Sequence, residues 1–136
     1  MDFRTCTTKR LVKPVRPDTH LYNSLVKSSE KKLKSQKLLI LNDDTASSKI
    51  SLTYDAIREL LEAMTISRGY KIYNHECYTA FLKEIMNESP MGDKFDIFRQ
   101  IRNDINYYGK DIKSFQAKTL LDDMVKFVEA LKSKFF

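Results

Sequence analysis

The sequence predicts an all-α protein, an antiparallel bundle of four to five helices that run up and down. Apolar residues recur every three or four positions in five separate segments. The chain has only three glycines and three prolines, and 31% of its residues are charged, which is more typical of helices than of a turn-rich β-sandwich. Its 136 residues correspond to a single domain.

The first segment differs from the rest of the chain. Residues 1–17 lack an apolar period and contain Pro14 and Pro17, so we predict an extended basic N-terminal arm. Residues 18–136 are then a single helical bundle domain. Asp18 is suited to cap the first helix, whose apolar side is marked by Leu21, Leu25, Leu33 and the segment 39–41.

Four further helices follow a polar loop over residues 42–48. Asn74, Asp93 and Ser114 are suited to open three of them. Gly69 and Gly109 are suited to end two of them, because glycine adopts the left-handed conformation that closes a helix. The predicted ranges are 51–67, 75–86, 93–108 and 114–131.

Positive charge is concentrated at the start of the chain. Residues 1–40 contain ten Lys and Arg against three Asp and Glu, and the remainder contains 14 against 15, for a net charge of +6. Such an asymmetry can attract nucleic acid or an acidic partner protein. It is equally consistent with a solvated helix face, and no aromatic residue interleaves the lysines to offer a stacking platform.

Several classes of protein are disfavoured by the sequence. No apolar run approaches 18 residues, so we expect no membrane span, and the first residues lack the apolar region of a secretory signal. Cys6 and Cys77 are isolated, which gives little support for a disulfide or a metal site. We therefore expect a cytoplasmic protein with neither metal nor cofactor. His75 and Glu76, at a helix start, are interpreted as capping and charge pairing rather than as catalytic or metal-binding groups.

The most distinctive stretch is the segment from residue 98 to residue 109. Four of its polar side chains share one helical face because they lie three or four positions apart, and two adjacent tyrosines follow. The guanidinium group suits phosphate or carboxylate, while amides and phenols add directional hydrogen bonds. The stripe is either a binding site or a helix end whose side chains satisfy their neighbours. Its members are Arg99, Arg102, Asn103, Asn106, Tyr107 and Tyr108.

Residues 102–109 resemble the motif of HEPN domains, the higher eukaryotes and prokaryotes nucleotide-binding family. The segments 54–63, 69–76 and 77–82 resemble the family in the same order, so that the resemblance covers about residues 50–131. It implies a helical bundle that forms a homodimer and brings two motifs together. Many HEPN domains are metal-independent ribonucleases, often the toxins of toxin–antitoxin pairs, and others accompany a small nucleotidyltransferase.

The family motif contains an arginine followed after four to six residues by a histidine. Arg102 matches the arginine and Asn103 matches the polar residue beside it, but Tyr107 stands where histidine is expected. Histidine titrates near neutrality and suits proton transfer, whereas a phenol, with a reference pKa of about 10, does not. Binding is therefore expected to survive this substitution better than catalysis.

The resemblance leads to three hypotheses. The first is a HEPN-like protein that binds RNA or a nucleotide through Arg99, Arg102, Asn103 and Tyr108, or that partners a nucleotidyltransferase in a toxin–antitoxin or defence context. The second is an active metal-independent ribonuclease that uses Arg102, Asn106 and Tyr107 in a dimeric cleft. The third is a structural interaction bundle with no role in nucleic-acid binding.

Overall fold

Six helices and one short antiparallel sheet form the structure, a computed structural model that describes residues 1–136. The prediction of an all-α helical bundle is confirmed, although the two-stranded sheet was not predicted. The elements are α1 (Phe3–Thr8), β1 (Val12–Pro14), α2 (Thr19–Leu38), α3 (Ala46–Ser67), β2 (Tyr70–Ile72), α4 (Glu76–Ala80), a π-helical segment (Phe81–Ile85), α5 (Ser89–Tyr108) and α6 (Ser114–Phe135).

Helix α3 is the centre of the bundle. Helices α2, α5 and α6 and strand β2 all pack against it, and buried residues lie on every side of it, as expected of a helix enclosed by its neighbours. Tyr54 of α3 stacks on Phe95 of α5 with ring centroids 5.7 Å apart, and Tyr78 of α4 meets the same Phe95 edge-on at 6.2 Å. This aromatic cluster joins α3, α4 and α5.

Several predicted helix boundaries are confirmed and others move. The Asp18 carboxylate accepts a hydrogen bond from the Leu21 N–H (2.9 Å), as a cap does. Gly69 and Gly109 adopt the positive φ predicted for helix ends. Helix α3 begins at Ala46 and α5 begins at Ser89, earlier than predicted. Pro90 stands in the first turn of α5, where its missing N–H has no helical partner to lose.

Helix α5 approaches the end of α4 closely at Gly92. A Cβ atom on this residue would lie 2.6 Å from Lys83 Cγ and 3.2 Å from the Thr79 carbonyl oxygen. A side chain at this position would require the Lys83 side chain to move and the Thr79 carbonyl to shift. The glycine therefore allows α5 to pack closely against α4 and the π-helical segment.

The prediction of an extended N-terminal arm is wrong. Residues 3–8 form helix α1, and β1 pairs with β2 so that Val12 lies opposite Ile72. Cys6 and Val12 are buried members of the main hydrophobic cluster. A six-residue helix and a three-residue strand are too short to show a period in the sequence, which explains why neither was predicted.

The cysteines were also interpreted wrongly, because Cys6 and Cys77 form a disulfide that joins α1 to α4. Both cysteines are fully buried. Disulfides persist mainly in oxidising compartments, so the cysteine content no longer supports the expectation of a reducing cytoplasm. None of the helices combines the length and apolar character that a membrane span requires.

Candidate functional site

The polar stripe of α5 borders a cavity between two parts of the chain. From α5 it is lined by Arg99, Arg102, Asn103 and Tyr107. From the opposite side it is lined by the turn that joins β2 to α4, whose contributing residues are Tyr73, Asn74, His75 and Glu76. The cavity has a volume of about 380 Å³ and opens to solvent. Residues about 25 positions apart in sequence therefore share one site.

Arg102 is held in place by three neighbouring groups. Its Nη2 lies 3.3 Å from Asp55 Oδ1, and its guanidinium carbon lies 5.3 Å from the centroid of the Tyr54 ring. With the Asn106 amide oriented so that its oxygen faces the guanidinium, that oxygen accepts from Arg102 Nε at 2.8 Å and from Nη2 at 3.3 Å. Nη1 makes no hydrogen bond within the chain. The guanidinium is thus fixed in orientation and keeps one free edge.

Arg99 is oriented by a single carboxylate. Its Nε and Nη2 both donate to Asp96 Oδ1, at 3.1 and 2.9 Å. The Asp96 carboxylate also accepts from Thr79 Oγ1 at 3.3 Å and from Gln100 Nε2 at 2.8 Å, so it is itself fixed by α4 and α5. As in Arg102, the Nη1 group makes no hydrogen bond within the chain.

His75 lines the same cavity as these arginines and is anchored by Tyr54. The Tyr54 hydroxyl and His75 Nδ1 are 2.9 Å apart. No buried polar side-chain atom lacks a hydrogen-bond partner, and Nε2 has none within the chain, so Nε2 reaches solvent. The imidazole therefore presents one nitrogen outward while the other is held in the bundle.

Burial and nearby cations together set the protonation of His75. Partial burial lowers the pKa of this imidazole, the Arg58 and Arg102 guanidiniums lower it further, and the Asp55 carboxylate opposes them. The imidazole is therefore neutral at pH 7. Burial also raises the pKa of Tyr54 well above its usual range, so its hydroxyl stays protonated.

Two tyrosines stand at the mouth of the cavity. Tyr73 is 57% exposed and Tyr107 is 74% exposed, although both line the cavity. The Lys13 ammonium, on β1, lies 5.6 Å from the centre of the Tyr73 ring. Exposed aromatic rings beside cationic groups are typical of surfaces on which nucleic-acid bases stack.

Comparison with known proteins leaves the family open. No family model, no curated protein and no solved structure matches this chain. The resemblance to HEPN domains therefore stays a prediction.

The structure brings together most of the residues singled out in the sequence. Arg99, Arg102, Asn103 and Tyr107 line the cavity together. Asn106 does not line the cavity, but its amide oxygen accepts hydrogen bonds from the Arg102 guanidinium. Tyr108, predicted as a binding residue, is 82% exposed and lies outside the cavity. The stripe therefore combines residues that face the cavity with residues that position them.

Sequence reasoning missed the other half of the site. His75 was interpreted as a capping residue, yet it makes no side-chain capping hydrogen bond, and Asn74 Oδ1 instead accepts from the Glu76 N–H at 2.8 Å. Tyr73 was not predicted as a site residue, although it is exposed and lines the cavity. No spacing rule connects residue 75 to residue 102. The one available signal was that the turn carries a histidine and an aromatic residue together.

Proposed function

We propose that this chain is a HEPN-like protein that binds a phosphate group of RNA or of a nucleotide in the cavity between α5 and the β2–α4 turn. The observation that carries the proposal is that two oriented arginines share a cavity with two exposed tyrosines. A nucleotide requires this combination, a cationic hydrogen-bonding group for phosphate and an aromatic face for the base.

The arginines are arranged to receive an anion. Asp55 and Asp96 each engage one side of a guanidinium and leave Nη1 unpaired. A phosphate oxygen that accepts from both Nη1 groups would gain charge-assisted hydrogen bonds without disrupting either ion pair. Because both guanidiniums are already oriented, little side-chain entropy is lost when the anion binds.

The rest of the cavity suits a nucleotide rather than a bare anion. Asn103 adds an amide that can donate to a phosphate or a base edge. Tyr73 and Tyr107 both line the cavity and offer exposed ring faces. A base stacked on either ring would place its phosphate toward the arginines, which favours single-stranded RNA or a free nucleotide over a duplex.

A homodimer is the second part of the proposal. Ile97, Ile101 and Tyr108 lie on one side of α5 because they are four and seven positions apart. Ile97 and Tyr108 are 55% and 82% exposed, and Phe115 at the start of α6 is 76% exposed. A second copy of the chain that covers this apolar face would form a homodimer. Because Arg102 lies about 100° or more around α5 from each of these three α5 residues, this interface would leave the two Arg102 side chains outside it.

The binding proposal is tested with a fluorescently labelled single-stranded RNA. Arg102→Ala is expected to weaken binding about tenfold or more, since hydrogen bonds to charged groups contribute roughly 1.5–3 kcal/mol. Lys126→Ala is the matched control, because it removes one positive charge from the exposed face of α6 and does not line the cavity. Fluorescence anisotropy at fixed salt measures both variants.

Stability must be measured beside affinity, because Arg102 also contacts Asp55 and Tyr54. These partly exposed contacts predict a loss of roughly 1 kcal/mol in Arg102→Ala. If Arg102→Ala loses stability but binds RNA as the Lys126→Ala control does, the stripe is a structural feature and the binding proposal is wrong.

A further inference from the structure

We propose that the cavity binds part of a polynucleotide strand rather than a mononucleotide, and that Lys13 on β1 binds the phosphate next to the one held by the arginines. This inference rests on the proposed function, because the first phosphate is the one that Arg99 and Arg102 bind. It assigns a binding role to a strand near the start of the chain, outside the segment that resembles HEPN domains.

The register of the two-stranded sheet places Lys13 beside Tyr73. Lys13 lies opposite Lys71. The Tyr73 N–H donates to the Leu11 carbonyl oxygen at 2.8 Å and so extends the pairing by one residue. Because alternate residues of a strand share a face, Lys13, Lys71 and Tyr73 lie on the same face of the sheet. The paired residues between them lie on the other face and are buried, so the face with Lys13 is the outer one.

Lys13 is a cation without a carboxylate partner. Its side chain is exposed, its ammonium lies 5.6 Å from the centre of the Tyr73 ring, and it forms no ion pair within the chain. Lys71, on the same face, is different, because its Nζ donates to Glu62 Oε1 at 2.5 Å. Of these two lysines, Lys13 is therefore the one available to an anion.

Tyr73 connects Lys13 to the cavity. The tyrosine lines the cavity together with Arg99 and Arg102, and Lys13 approaches the same ring from β1. A nucleotide within a strand has one phosphate on its 5′ side and another on its 3′ side. If its base stacks on Tyr73 and one phosphate is bound by the arginines, the other phosphate is available to Lys13. The cavity opens to solvent, so the strand can continue beyond the ring.

The test compares two small ligands that differ by one phosphate. These are a nucleoside 5′-monophosphate and the 3′,5′-bisphosphate of the same nucleoside, each measured by competition with a labelled single-stranded RNA on the full chain with its disulfide intact. Wild-type protein should bind the bisphosphate about three- to fivefold more tightly, the size expected of an exposed charge pair. In Lys13→Ala this ratio should fall to about one, and Lys13→Arg, which keeps the charge, should retain it.

Lys34→Ala is the matched control. Lys34 is exposed on α2 and does not line the cavity, so its removal changes the net charge by the same amount and should leave the affinity ratio at the wild-type value. The salt dependence of RNA binding gives a second measurement. The slope of log K against log salt concentration should decrease by about one in Lys13→Ala, as expected for the loss of one phosphate contact, and should be unchanged in Lys34→Ala.

The outcomes separate this inference from the proposed function. If RNA binds and depends on Arg102, but the two small ligands bind the wild-type protein equally, the binding function stands and the role of Lys13 is overturned. A ratio that persists in Lys13→Ala overturns it as well. An equal loss in Lys13→Ala and Lys34→Ala would show that only net charge matters, which also refutes the contact. If neither RNA nor nucleotide binds, both proposals fail.

Discussion

The bond between Cys6 and Cys77 allows a direct prediction about stability. The two cysteines are 71 residues apart in sequence. Cross-linking them removes closure entropy for a loop of about 70 residues from the unfolded chain, which corresponds to about 4 kcal/mol at room temperature. Reducing the bond, or replacing both residues in Cys6→Ala/Cys77→Ala, should therefore lower the free energy of unfolding by about this amount.

Guanidinium chloride denaturation provides the assay. For a chain of this size the dependence on denaturant is roughly 4 kcal/mol per molar, so the midpoint should fall by about 1 M when a reductant is added. The double alanine variant should show a low midpoint with or without reductant, which controls for effects of the reductant itself. A thiol titration of the unfolded, unreduced protein should find no free thiol. Equal midpoints for the oxidised and reduced wild-type protein would refute the reasoning.

Two further predictions concern the histidine and the oligomeric state. Because the pKa of His75 is lowered in the folded state, the unfolded chain binds its proton first as the pH falls below about 6.5, and wild-type stability should decrease relative to His75→Gln by at most about 1.4 kcal/mol per pH unit. Urea denaturation between pH 7.5 and pH 5 measures this difference, and parallel curves for the two proteins would contradict it. Sedimentation at micromolar concentration should show a dimer of the 16.0 kDa chain that Ile97→Lys converts to monomer, whereas a wild-type monomer would count against the α5 interface.

The bundle could be predicted because its determinants are local. A cap such as Asp18, a closing residue such as Gly109 and an apolar repeat of three to four residues each act within one or two helical turns. These signals fix the long helices with errors of a few residues at their ends. Helix α5 was predicted with its polar stripe because all the members of the stripe belong to one such period.

The remaining features depend on contacts that sequence spacing does not encode. The pairing of Cys6 with Cys77 and of Val12 with Ile72 joins residues that are distant in the chain. The same holds for His75, which lines one cavity with Arg102 because α4 packs against α5 and because Tyr54 of α3 contacts both side chains. The α5 side of the cavity could therefore be predicted from the sequence, whereas the side formed by the β2–α4 turn could be identified only in the folded structure.

The eight residues from Tyr70 to Cys77 have a double role. They carry Tyr73 and His75 at the cavity. They also hold the N-terminal elements in place, because β2 pairs with β1 and Cys77 forms the disulfide with Cys6 of α1. An interaction that orders this segment therefore stabilises both the cavity and the attachment of the N-terminal elements. By thermodynamic reciprocity, if the oxidised form binds a ligand more tightly than the reduced form, then the bound ligand must protect the disulfide from reduction by the same factor. In that case, reduction of the disulfide and ligand binding in the cavity are thermodynamically linked.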